Sequence, residues 1–285
     1  MRIFCVAFFF LLIYSELKAQ QGTPDPLTEN FVFSIQTIDD FFDRFNFEPS
    51  TPAFQYYKDN YPTLSLDRKT IIFSLFDLKN STCKNEDINN FASDFESDSA
   101  SKLCYNKPGW YSVLHCKVIY KKKRRIIDLI MQIDSIHMRK NSVGYKWSLR
   151  SVKAGFIHGL DSLDSNDTSH VTAPPKSKAF LQPMSHAIDF MNIDDIFRKK
   201  MTREYFAKQA SSAELDTLVN MIDQGRLKFV QVDSISYHLL QLPGWIVEVK
   251  CINRQDNNSG WLISRLMPAD ENEKINYLQR HLNIR

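Results

Sequence analysis

The chain has 285 residues, with 36 Lys and Arg against 33 Asp and Glu and a formal net charge of +3. That near-balance excludes a protein built to wrap nucleic acid or another polyanion, and only 8 glycines argue against the phosphate-cradling loops of nucleotide enzymes. The 21 phenylalanines point instead to well-filled cores or an aromatic-lined cleft.

Residues 1–19 read as a cleavable export signal. Arg2 supplies a positive start, Ile3 to Tyr14 is almost wholly apolar, and a polar stretch ends in Ala19. The apolar run is too short to span a bilayer as a stable helix, and no second long apolar run follows. The mature chain is therefore expected in the periplasm or outside the cell, without a transmembrane span. Residues 20–30 read as a loose, proline-bearing leader.

Ile35, Ile38, Phe41, Phe42 and Phe45 recur at helical spacing and predict an amphipathic helix. After a break at Tyr61-Pro62, a second helix carries Ile71, Ile72, Leu75 and Phe76, and a third carries Ile88, Phe91 and Phe95. The period then changes to two. Pro108-Gly109 makes a turn, and strands are predicted over Trp110–Tyr120, Arg125–Met138 and Tyr145–Val152, with the basic run Lys121–Arg125 at the first hairpin. Gly159 to Pro183 is rich in Asp, Ser, Thr and Pro and reads as a linker. Beyond it the order returns: helical segments at Ile188–Lys199 and Thr202–Gln209, then a helix opened by Ser211 and Glu214 as a capping box and closed by Gly225. Strands follow at Lys228–Leu240, Trp245–Asn253 and Gly260–Met267.

The chain thus reads twice as three helices followed by three strands. Ile38-Asp39-Asp40-Phe41-Phe42 matches Ile193-Asp194-Asp195-Ile196-Phe197, and Lys146-Trp147-Ser148-Leu149 matches Gly260-Trp261-Leu262-Ile263. Pro108-Gly109-Trp110 and Pro243-Gly244-Trp245 are alike, but their spacing to Trp147 and Trp261 differs, so they are read as similar turns in different places. The expected fold class is α+β, with two tandem domains at 31–158 and 185–285 joined by a linker at 159–184.

Helices followed by a curved antiparallel sheet that ends in a tryptophan-bearing strand resemble the NTF2-like (cystatin-like, cone-shaped) superfamily. That resemblance implies a sheet wrapped around a helix with a pocket at its open end, used by some members for hydrolysis, isomerisation or dehydration and by others only for binding. The end of the signal, Lys18-Ala19-Gln20-Gln21, and the Asn, Lys and Phe bias resemble the style of secreted Bacteroidetes proteins.

Familiar catalytic signatures are missing: the sequence holds no H-E-x-x-H, G-x-S-x-G, Walker or Rossmann pattern. His186 and Asp189 are helix neighbours, but two ligands make no metal site, and no metal or cofactor is expected. If the first sheet keeps an open mouth, Asp128, Gln132 and Asp134 share one face of their strand, and His115 lies on the neighbouring strand opposite Cys116. A pair of His115 with Asp128 or Asp134 has the makings of a general base and its orienter, with Tyr111 and Gln132 as ligand-binding candidates. An ordinary solvated sheet face accounts for the same residues. Cys116 and Cys251 read as buried thiols, whereas Cys83 and Cys104, in polar surroundings, are candidates for a disulfide.

The functional expectation is an exported, non-catalytic binding protein of the cell envelope, recognising an envelope or secreted protein or a small apolar ligand. The alternative is an NTF2-like pocket hydrolase or isomerase using the His–Asp pair.

Overall fold

A computed structural model describes residues 33–61, 66–79, 82–97, 101–137, 143–157, 190, 193, 205–207, 210, 213–256 and 258–284. The expected signal, leader and linker lie outside the described residues, as do the helix at 188–199 apart from Phe190 and Ile193, Ser211 of the expected capping box, and the pair His186 and Asp189.

Helix α1 spans Ile38–Phe45, where the Thr37 hydroxyl accepts from the Asp40 amide and caps the first turn. Its stripe of Ile38, Phe41, Phe42 and Phe45 is buried. Helix α2, Pro52–Asn60, begins with a proline placed where its missing N–H costs nothing, behind the Thr51 cap. Helices α3 (Arg68–Ser74) and α4 (Asn85–Asp94) follow, and they bury Ile71 and Ile72, and Phe91, respectively. Strands β1 (Trp110–Tyr120), β2 (Lys123–His137) and β3 (Val143–Lys153) come next. Helix α5, Ala213–Asp223, ends at Gly225 with φ +66, where the Gly225 amide donates to Ile222 O and the Arg226 amide to Met221 O. That pair of bonds is a Schellman stop, which needs a left-handed residue at the glycine position. Strands β4 (Leu227–Leu239), β5 (Trp245–Ile252) and β6 (Gly260–Pro268) precede helix α6, Glu271–His281.

All six strands form one antiparallel sheet in the order β3-β2-β1-β4-β5-β6. The α+β class therefore holds, but the expectation of a separate sheet in each half is corrected. The first strand of each half pairs with the other along its length, from Trp110 opposite Leu239 to Tyr120 opposite Leu227. The reason lies in burial. Ser112, Val113 and Leu114 are buried in succession, as are Ile235 through Leu240. Strands covered on both faces suit the middle of a sheet, and pairing β1 with β4 places both of these stretches there.

The sheet is strongly bent. Neighbouring strands lie about 4.8 Å apart, so β3 and β4, with two strands between them, are separated by about 14 Å. Yet the rings of Trp147 on β3 and Tyr237 on β4 are 6.1 Å apart, Trp147 is 4.6 Å from Trp110 on β1, and Tyr237 is 4.9 Å from Trp261 on β6. Side chains converge in this way only on a concave face, and the hollow is filled by Phe42 and Phe45 of α1, Phe91 of α4 and Phe76 just after α3.

The duplicated order acquires a geometric meaning in this hollow. Phe76, which follows α3 in the first half, forms a parallel bridge to Ile263 on β6 of the second half. Phe206, before α5 in the second half, makes the same bridge to Leu149 on β3 of the first. Ile263 and Leu149 each stand two residues after the matched tryptophans Trp261 and Trp147. Each half thus bridges one residue to the outer strand of the other, and both sheet edges are partly occupied. Ile35 adds a third bridge, to Gly260, where an added Cβ would stand 2.1 Å from Ile35 O.

The opposite face carries a smaller cluster of Val113, Ile130, Leu240, Ile246 and Ala269 under Tyr277 and Leu282, brought by α6 and the residues after it. Helix α6 is opened by a reciprocal capping box between Asp270 and Glu273. The Pro-Gly-Trp triplets occupy different strands, at the starts of β1 and β5, and both glycines take positive φ. Cys116 is buried as expected, but Cys251 is exposed. Strand β5 pairs with β4 only as far as Lys250 opposite Ser236, so Cys251 runs past the covered part of the sheet.

Candidate functional site

The two-residue turn at Lys121-Lys122 sets the register of β1 against β2, and that register places His115 opposite Asp128. Their side chains meet on the face away from the hollow, with His115 Nδ1 2.7 Å from Asp128 Oδ1. The pair is open to solvent, with side-chain exposures of 36% and 25%. On the other side of β1, Ser234 of β4 stands opposite His115, and on β3 Lys153 stands opposite Asp128. Ser234, His115 and Asp128 therefore form one row across three strands. The geometry supplies an imidazole oriented by a carboxylate, the arrangement a general base requires.

The other expected members do not join it. Asp134 is six residues along β2 from Asp128, about 20 Å of extended chain, and it accepts from Gln132 Nε2 at 2.9 Å. Tyr111 lies opposite Gln132 but packs against the apolar cluster under α6, where burial raises its pKa against the lowering influence of Arg150. Neither Tyr111 nor Gln132 belongs to the row with His115. Cys83 and Cys104, the disulfide candidates, are both free thiols in this structure. Each neighbourhood has its own anchor: Thr82 Oγ1 donates to Ser264 O on β6, whereas the Cys104 amide donates to the Gln241 side chain beyond β4.

A second polar group on the same face went unnoticed in the sequence. His238 Nε2 is 3.0 Å from Ser236 Oγ, and His238 Nδ1 is 2.7 Å from Tyr277 Oη on α6. All three are buried. Burial drives the His238 pKa down to about 4, against the opposing pull of Glu248. Glu248 is itself pushed upward by burial, but its bond to Lys250 and the nearness of His238 leave it below the ordinary range. Neutral His238 therefore ties the C-terminal helix to the sheet rather than facing a substrate. The signal that would have found it is the alternation Ser236-x-His238 on one strand face, although its partner lies 39 residues away.

A third feature is a half-open groove of about 470 Å³ along α2, lined by Pro49, Phe54, Gln55, Tyr57, Lys58, Tyr61 and Leu66. Its walls are built by aromatic contacts: Phe33 with Tyr56 and Tyr57, Tyr57 with Tyr61, and Phe47 edge-on to Phe54. Among the described residues no three His, Cys, Asp or Glu side chains converge as a metal centre would need, and no helix is long and apolar enough to cross a membrane. Comparison with protein-family models, with curated proteins and with solved structures returns no match to this chain.

Proposed function

We propose that the protein is an exported binding protein whose recognition surface is the aromatic groove of α2. The observation that carries this reading is the groove itself. Its volume falls in the range of small-molecule sites, and its wall of Phe54, Tyr57, Tyr61, Pro49 and Leu66 suits an apolar ligand. Lys58 and Gln55 at the lining favour a ligand that carries an acidic or hydrogen-bonding end. In this reading the NTF2-like logic of helices seated in a bent sheet is kept, with both halves contributing to a single cone. The test is fluorescence titration with an apolar anionic dye such as anilinonaphthalene sulfonate. Saturable binding that weakens at least tenfold in Tyr57→Ala with Phe54→Ala supports the groove; unchanged binding in the double variant rejects it.

A second reading, hydrolysis at the sheet face, is favoured by the 2.7 Å contact between His115 and Asp128. There His115 would take a proton from water or from the Ser234 hydroxyl. Labelling of Ser234 by a fluorophosphonate probe that disappears in His115→Ala would establish the serine route; probe-resistant protein that also fails to hydrolyse a panel of aryl esters faster than His115→Ala would remove the reading.

A further inference from the structure

The far end of the sheet, at the β1–β2 hairpin, joins positive charge to exposed aliphatic surface. Lys121 and Lys122 form the turn with φ +49 and +63. Such a turn is comfortable for Asn-Gly and strained for two lysines, so charge is retained there against local preference. Lys123, Arg124 and Arg125 continue along β2, and Lys228 lies on β4 opposite Ile119. All six cations are exposed, and none is bonded to an acid among the described residues. The nearest acid on β4, Asp233, is already engaged by Lys117.

A hairpin that served only solubility would be polar throughout. This one is not. Ile119 is 36% exposed, Ile126 62% and Val230 42%. The register puts Ile119 opposite Arg124 and Lys117 opposite Ile126, so both isoleucines share one face with Arg124 and Lys117. That is the face α6 covers farther along. Val230 sits where the β1–β4 register slips between Lys117 and Val118, which gives β4 an extra residue there.

We propose that this hairpin end docks on an anionic lipid bilayer. Cations alone would serve a soluble polyanion equally well, but interleaved aliphatic side chains gain nothing from one. At a bilayer they enter the interfacial zone while the lysine and arginine heads reach lipid phosphates. This surface is independent of the α2 groove, so the two readings stand or fall separately.

The experiment is cosedimentation of the full chain with vesicles of phosphatidylcholine alone and of phosphatidylcholine mixed equally with phosphatidylglycerol, at low and high salt. Binding should require phosphatidylglycerol and weaken with salt. Combined Lys122→Ala, Lys123→Ala and Arg124→Ala should lower partitioning about 100-fold, at about fivefold per cation. Ile126→Thr with Val230→Thr, which keeps the β-branching of both strand positions, should lower it several-fold while the chain still unfolds in a single cooperative transition above the assay temperature. Three results would overturn the proposal: no binding to the anionic vesicles, binding to neutral vesicles that ignores the charge variants, or binding to heparin and vesicles alike that ignores the aliphatic variants.

Discussion

His238 makes stability depend on pH in a way that can be worked through. Its reference pKa of 6.5 falls to about 4 in the folded protein, chiefly through burial. Between those values the unfolded chain binds the proton and the folded chain does not. Folding stability is therefore complete above pH 6.5 and drains away as the pH falls toward 4. The loss from this one group is about 2 kcal/mol at pH 5 and about 3 kcal/mol at pH 4. The groups that face it are Tyr277 and Ser236 by hydrogen bond, Glu248 with an attraction that raises its pKa, and Lys250, His115 and His281 with repulsions that lower it. Other groups titrate in the same window, so the informative quantity is a difference. Urea unfolding of the protein and of His238→Gln, an amide that keeps hydrogen-bonding capacity without a titrating proton, should be followed from pH 7 to pH 5. The wild-type chain should lose about 2 kcal/mol more than the variant. Protection factors of the α6 amides, taken relative to intrinsic exchange at each pH, should fall in the same range, because the histidine holds that helix. Parallel pH curves for the two proteins would refute the buried, neutral imidazole.

Gly260→Ala should destabilise by more than about 2 kcal/mol in denaturant unfolding, since the new Cβ meets Ile35 O and the residue holds φ +89. Ser112→Ala should raise stability by about 1 kcal/mol, because the Ser112 hydroxyl is fully buried with no hydrogen-bond partner among the described residues and its removal ends a desolvation cost. Iodoacetamide under native conditions should modify Cys251, which is exposed, and spare Cys116, which is buried and whose pKa burial raises far above the ordinary range; mass spectrometry of the digested protein reads both.

Local patterns were legible where local physics decides. The stripe of Ile38, Phe41, Phe42 and Phe45 lies in the core as its spacing implies, and the stop at Gly225 is a left-handed cap. The pairing of His115 with a carboxylate on the next strand was legible only as a choice between Asp128 and Asp134, because the hairpin read as the whole run Lys121–Arg125; the tighter turn at Lys121-Lys122 selects Asp128. Helix α2 was passed over because only Ala53 along it is buried, so it has no apolar stripe to read. Helix α6 was missed although Asp270 and Glu273 spell a capping box, because its apolar positions are few and its charge density high. The pairing of β1 with β4 was not legible at all. Periodicity reports that a strand has covered faces, not which strand more than a hundred residues away lies beside it, and two repeats of one pattern are as compatible with two sheets as with one.

That shared sheet can be tested by cutting the chain between the halves. A protease site inserted within residues 159–184 and cleaved under native conditions leaves two fragments held only by noncovalent contact. With β1 paired to β4, and Phe76 and Phe206 each bridged to the outer strand of the other half, the fragments should coelute on size exclusion and separate only in denaturant. Two folded fragments eluting apart in native buffer would contradict the single sheet.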